Sequence, residues 1–324
     1  MDGESIDRRA VIAGLALGVL APLLTGMNEY LLTVFILILI FIIFASSWNF
    51  LACSGQASLG HAAFFGMGGY VSTLLAVHAG LSPYLTMLIG GLAAAGLGLF
   101  IGIICMRLRE WFLAMVTFGF AIIIQTLVVR QFASVTGGWD GVPSPRLIPA
   151  TVPNALLFEY YTILILAIAI ICLFYRILSS RIGLAFAAIR TNELEARAAG
   201  IDPVRYRLLA FLVSAYFSGL AGALEVAYLG YITPEIFGMD ISFWPVIYSI
   251  SGGLGTLAGP IIGTVVITLL WDGLQFLGVT YARYIIVGVL LILIIIFLPK
   301  GLVSLPGKIR DRVARPREDK TQLP

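Results

Sequence analysis

The chain has 324 residues, 60% hydrophobic and only 11% charged, with a formal net charge of +3 and a mean hydropathy of +1.02. A soluble domain carries about a quarter charged residues, so this apolar surface belongs in lipid, which only helices and closed barrels can span with every backbone group satisfied. The apolar runs far exceed barrel strands of about 10 residues and do not alternate, which excludes a barrel.

In chain order, ten stretches approach the roughly 20 residues that a bilayer crossing requires. They lie at about 10–26, 30–52, 57–79, 84–106, 111–130, 159–176, 206–230, 241–258, 259–278 and 281–298. The expected fold is an all-α polytopic membrane protein of about ten transmembrane or re-entrant helices, forming one domain over 1–324. Glycine and polar residues interrupt the third and eighth stretches, which are read as spanning or re-entrant. The first ends in Ala21-Pro22-Leu23-Leu24-Thr25, lacks an A-x-A cleavage site and is followed at once by another apolar run, so it reads as a retained anchor.

Ten crossings with both termini on one side place 17 of the 20 Lys and Arg residues on that side, leaving Arg130, Arg146 and Arg283 on the other. Cytoplasmic loops carry the excess of Lys and Arg, so both termini are expected inside. The basic tail over 300–324 reads as a topology determinant rather than a nucleic-acid arm.

Two connections are long. The outer one, 131–158, holds four prolines and the run Thr136-Gly137-Gly138-Trp139-Asp140-Gly141, which favours tight turns. It is either a solvated loop or a docking surface for something arriving from outside. The inner one, 177–205, has Ser179 and Ser180 to cap a helix, helix formers from Ala185 to Ala199, Gly200 to end it and Asp202-Pro203 to turn toward the next span. A projecting helical hairpin there has no membrane purpose. It implies a cytoplasmic partner that grips it, with small residues for close approach and Arg190, Glu193, Glu195 and Arg197 at the rim.

The stretch "SGQASLGHAAFFGMGGY", Ser54 to Tyr70, holds one of two histidines and five glycines beside strongly apolar segments. Polar, irregular backbone at membrane depth is tolerated only inside protein or along a water-filled cavity. Gln56, Ser58 and His61, with Phe64 and Phe65 as an apolar gate, are therefore candidates for a translocation route; close packing and helix capping are the competing role. "SGGLGTLAGP" at 251–260 is a second break and a weak internal echo of the first. Glu225 and Asp272 are intramembrane acids without an assigned role.

Catalytic signatures are missing. There is no G-x-x-x-x-G-K-[ST] loop, no H-E-x-x-H, no G-x-S-x-G and no C-x-x-C among Cys53, Cys105 and Cys172. No metal or cofactor is expected, and energy must come from another polypeptide.

The Ser54–Tyr70 stretch, "TGGWDGVP", the segment "RTNELEARAAGIDPVRYRLLAFLVSAYFSGLAGALEVAYLGYITPEIFG", "SGGLGTLAGPIIG" and "PKGLVSLPG" together resemble, in order, the branched-chain amino-acid ABC-importer permeases of the LivM type. The resemblance implies a type II-like permease fold in a bacterial inner membrane. It also implies a LivH-like second permease, two ATP-binding subunits and a periplasmic solute-binding protein. On that footing the route lies between two permeases, the binding protein docks on Gly137, Gly138, Trp139 and Asp140, and the ATPases engage Glu193, Glu195, Ala196 and Gly200. Urea and other small-solute permeases have similar sequences. The usual E-A-A-x3-G coupling signature is altered here, because Glu195 stands one position closer to Gly200. Glu225 stands where many relatives carry an uncharged residue. An ion-driven secondary carrier, the reading from a different class, would use Glu225 and Asp272 but would need no hairpin.

Overall fold

The computed structural model describes residues 8–24, 26–105, 108, 110–149, 151–278 and 281–305. The basic residues expected at 107, 109 and 306–324 lie outside the described residues. Among those described, the helices are α1 Arg8–Leu24, α2 Glu29–Cys53, α3 His61–Ala79, α4 Pro83–Cys105, α5 Glu110–Thr126, α6 Ala133–Thr136, α7 Ala155–Leu178, α8 Arg181–Thr191, α9 Glu193–Ala198, α10 Pro203–Leu229, α11 Met239–Gly252, α12 Ala258–Phe276 and α13 Ala282–Phe297. Strands β1 Val142–Pro143 and β2 Tyr231–Ile232 pair antiparallel.

Every expected span contains a helix. Among the described residues seven of these helices are long and apolar enough to cross a membrane, α5 by continuing through a π-helical turn, Leu127–Gln131, while α1, α11 and α13 fall short at 17, 14 and 16 residues. The eighth stretch is a correction in length: 14 residues rise about 21 Å, less than the roughly 30 Å hydrocarbon core. Pro245 lies inside α11, and Gly253, in positive φ at 139°, ends it. The third stretch loses its first residues, since 54–60 are a non-helical arm and α3 begins at His61.

The bundle closes around α3, α4 and α10, whose backbones touch. A Cβ built on Gly68 would stand 2.0 Å from the carbonyl oxygen of Gly219; one on Gly222, 2.0 Å from that of Phe65; one on Gly90, 2.4 Å from that of Gly68. Small residues let membrane helices approach this closely and gain dispersion and Cα–H contacts in place of a hydrophobic drive, which lipid does not supply. The spacing Gly98-x3-Gly102 serves the same junction, with Gly98 against Ala215 and Gly102 against Phe211. A second glycine contact joins α11 to α12, where Gly263 meets the Tyr248 carbonyl and Gly259 that of Gly253. α2 packs across both groups, and its buried Ile36, Ile40, Ile43 and Phe44 join the main core.

Helix starts follow their caps. Asn28 accepts from Tyr30 N at 2.9 Å, Ser180 from Ile182 N at 3.2 Å, and Asp202, just before Pro203, from Val204 N at 3.1 Å.

Because the junction has no room for a side chain, Gly68→Val should lower the melting temperature of the purified membrane protein sharply, with overpacking costing about 1–3 kcal/mol or more. Gly96→Ala, on α4 but facing open space, should leave it unchanged. A Gly68→Val protein as stable as the parent would show that the backbone contact is not what holds the bundle.

Candidate functional site

Two faces of the bundle can be told apart. One carries the α8–α9 hairpin, the arm 54–60 and the turn 253–257; the other carries 132–149 and the β1–β2 pair.

On the hairpin face, Asn192 separates two helices and caps α9, accepting from Leu194 N at 3.0 Å, while its amide donates to Glu195 Oε1 at 2.6 Å. This is a capping arrangement with the acid at the third helical position. Glu193 pairs with Arg197 at 2.7 Å and with Arg207 of α10 at 2.9 Å, so the hairpin is braced to a membrane helix. Partial burial pushes the Glu193 carboxyl upward, but the two guanidiniums outweigh it and hold the group below its ordinary value. Gly200, at φ 83°, makes the left-handed turn that returns the chain to Asp202. Of the four residues expected to engage an ATPase, Glu195 and Gly200 are on the surface, Glu193 is a brace and Ala196 is buried beneath the hairpin. Sequence reasoning missed Leu194 and Leu184, which are 79% and 65% exposed. Leu194 stands between Glu193 and Glu195, whereas Leu184 lies in an apolar run that gave no signal.

The hairpin reaches the membrane through Arg190. A Cβ on Gly55 would lie 3.4 Å from the Arg190 backbone, and one on Gly255 would lie 2.6 Å from its Nη1. Asn49 of α2 clamps the same turn, accepting from Gly255 N at 2.8 Å and donating to the Thr256 carbonyl at 2.8 Å. The two sequence breaks, at 54–56 and 253–257, thus meet under one arginine.

Above Arg190, the arm 54–60 folds back into the bundle. Trp48 Nε1 donates to the Ser58 carbonyl at 2.7 Å, Gln56 Nε2 to the Arg207 carbonyl at 3.0 Å, and Thr117 Oγ1 accepts from Leu59 N at 3.2 Å. Ser214 Oγ gives its proton to the Ser47 carbonyl at 2.7 Å, so its 2.8 Å contact with His61 is donated by Nε2. His61 Nδ1 then has no partner among the described residues. Gln56, Ser58, His61, Phe64 and Phe65 are all at least 96% buried by this chain's own helices. In this conformation Gln56, Ser58 and His61 form a packed polar knot, with Phe64 and Phe65 buried beside it. Their polar groups are almost all satisfied from within, as buried polar groups must be.

On the opposite face, Gly137, Gly138 and Gly141 all take positive φ and wind a compact knob. Thr136 Oγ1 donates back to the Val128 carbonyl at 2.7 Å, and Tyr231 hydroxyl donates to the Asp140 carbonyl. Trp139 stands out from the knob, 65% exposed, with Asp140 exposed beside it. Of the four contiguous residues expected to dock a partner, Gly137, Trp139 and Asp140 are presented outward, while Gly138 is buried within the knob.

A bundle with seven apolar helices of membrane-crossing length among the described residues, an ordered hairpin on one face and an ordered knob on the other, is a multi-pass membrane protein. The family model described as "Branched-chain amino acid transport system / permease component" matches residues 30–295, and the chain belongs to that family of ABC-importer permeases. It is 27% identical to the high-affinity branched-chain amino acid transport system permease protein LivM of Escherichia coli, over 94% of this chain and 77% of that protein. It is 25% identical to the probable branched-chain amino acid transport permease protein LivM of Methanocaldococcus jannaschii, over 55% of each chain. The D-allose transport system permease protein AlsC of Escherichia coli is 28% identical over 71% of each. No solved structure matches the chain.

The brace has a signed pH dependence. A carboxyl held below its ordinary value stabilises the fold above that value and loses the contribution as pH falls through the lowered one. Hydrogen exchange in 193–199 should therefore stay slow from neutral pH down through the ordinary carboxylate range and quicken only below it. Glu193→Gln should show less protection than the parent at neutral pH and converge with it below the lowered carboxyl value, each exposed pair contributing about 0–1 kcal/mol. Identical protection in Glu193→Gln at neutral pH would remove the brace from the account.

Proposed function

We propose that this chain is the membrane subunit of an ATP-driven importer for branched-chain amino acids, paired with a second permease and driven by two ATP-binding subunits. The observation that carries the reading is the braced hairpin: two helices outside the bundle, tied by Arg207 to α10 and by Arg190 to both broken segments. Such a hairpin delivers motion from a soluble partner into the membrane helices. The solute class rests on the branched-chain amino acid permeases among the relatives. In this reading 181–202 and both termini face the cytoplasm, Leu194, Glu195 and Gly200 meet an ATPase, and Gly137, Gly138, Trp139 and Asp140 receive a solute-binding protein. Transport is alternating access, a population shift between two openings of the permease pair.

A second solute class has its own support, since permeases for D-allose and ribose are also relatives. Vesicles holding the full complex with its binding protein separate the readings. ATP-dependent uptake of labelled leucine, and none of allose or ribose, is the expected result; sugar uptake would keep the mechanism and replace the solute. Leu194→Glu should reduce uptake by roughly tenfold, equivalent to about 1.4 kcal/mol of lost contact, while the subunits still co-purify. Uptake by this chain without ATP-binding subunits would overturn the proposal.

A further inference from the structure

After α10 the chain does not leave the membrane region cleanly. "YITPEIFGMD", 231–240, turns back through β2 and a short 3-10 turn, Pro234–Phe237, before α11 begins at Met239. Its depth can be read from its neighbours. Phe64 and Phe65 lie against Gly219 and Gly222, near the middle of the 27-residue α10, and the Phe65 ring is 4.4 Å from Phe44 of α2. Residues 62 and 66 bracket that level. Ala62 N donates to Ser242 Oγ at 3.2 Å, Phe237 fills the space beside Gly66, and its ring stacks on Tyr70 at 5.6 Å. The segment 237–242 therefore sits at the level of the helix midpoints, about as far from either surface as this bundle allows.

At that depth Asp240 is exposed on the surface of the chain and Met239 is 54% exposed, while Glu235, also exposed, lies nearer the Trp139 knob, where Thr233 meets Gly141 and β2 pairs with β1. Neither acid has an ion-pair partner among the described residues. Lipid is excluded as the covering, because irregular backbone and carboxylates in hydrocarbon each cost several kcal/mol. A dry protein contact is disfavoured by the same unpaired charges.

We propose that the face formed by Glu235, Met239 and Asp240 is the wall of the water-filled solute route, with the second permease as its opposite side. This rests on the permease pairing proposed above. It also divides the labour between the two polar segments: 54–65 is the closed scaffold behind the wall, and 233–240 is the wall.

The test is water access to single cysteines in the complete complex in membrane vesicles. Cys53 and Cys105 are buried, so Cys172→Ser removes the exposed native thiol. Met239→Cys keeps both acids and is the primary variant; Asp240→Cys is the second, and Ile285→Cys, 69% exposed on apolar α13, is the lipid-facing control. A charged, membrane-impermeant thiosulfonate should modify positions 239 and 240 several-fold faster than 285, at rates that differ between nucleotide-free and ATP-bound complex. Resistance of Met239→Cys to that reagent in both states, with normal reaction toward neutral N-ethylmaleimide, would mean a lipid or protein covering and overturn the inference. Water access needs no transport. Labelling without leucine uptake would therefore sink the proposed solute and leave the wall standing, and leucine uptake without labelling would do the reverse.

Discussion

The contact that the rest of this fold depends on is backbone against backbone where α3, α4 and α10 meet. Gly68, Gly90, Gly219 and Gly222 leave carbonyl oxygens where side chains would otherwise be. In lipid, helices gain little from hiding apolar surface from one another, so association has to come from close approach. That closeness fixes the position of the arm 54–60. Once α3 is pressed on α10, His61 falls beside Ser214 and Ser47, and the arm's polar groups can be satisfied only from α2, α5 and α10. The polar knot is thus a consequence of the glycine junction, and the two would be lost together.

The same logic separates the halves of the chain. The α11–α12 pair repeats the glycine contact with its own residues and shares α2 as a common wall, but its short first helix leaves the segment before it hanging at mid-depth. A full-length helix there would have carried Asp240 out toward the interface. The broken one keeps it at mid-depth.

Much of this was legible in the sequence. Hydropathy and length located a helix at each of the ten stretches, and the caps at Asn28, Ser180 and Asp202 are local signals that tertiary structure had no reason to override. The family was carried by ordered motifs across nearly the whole chain. What the sequence did not disclose is which polar stretch is covered. Gln56, Ser58 and His61 read either as route or as packing, because polarity at membrane depth has two outcomes, and the partners that cover them in this conformation are distant in sequence; Ser214 lies 153 residues from His61. Glu235 and Asp240 went unremarked because they lie close to Pro234 and Gly238 and read as an ordinary surface turn; the depth of Asp240 is set by Phe237 meeting Gly66 and Ser242 meeting Ala62. Leu194 and Leu184 were overlooked because exposure of a leucine cannot be read from a helix of six residues or from one of 11.

α10 is anchored at both ends. At its start, Arg207 holds Glu193 of the hairpin; at its finish, the Gly230 carbonyl accepts from Ser144 N at 3.0 Å and β2 pairs with β1, the strand that leaves the Trp139 knob. A helix of 27 residues is a stiff rod about 40 Å long. Mechanically it is a connecting rod: tilting it from the hairpin end must displace the knob at the far end, because the strand pairing gives no slack. The two faces of the bundle are therefore mechanically joined through a single helix, with the hairpin at one end and the knob at the other.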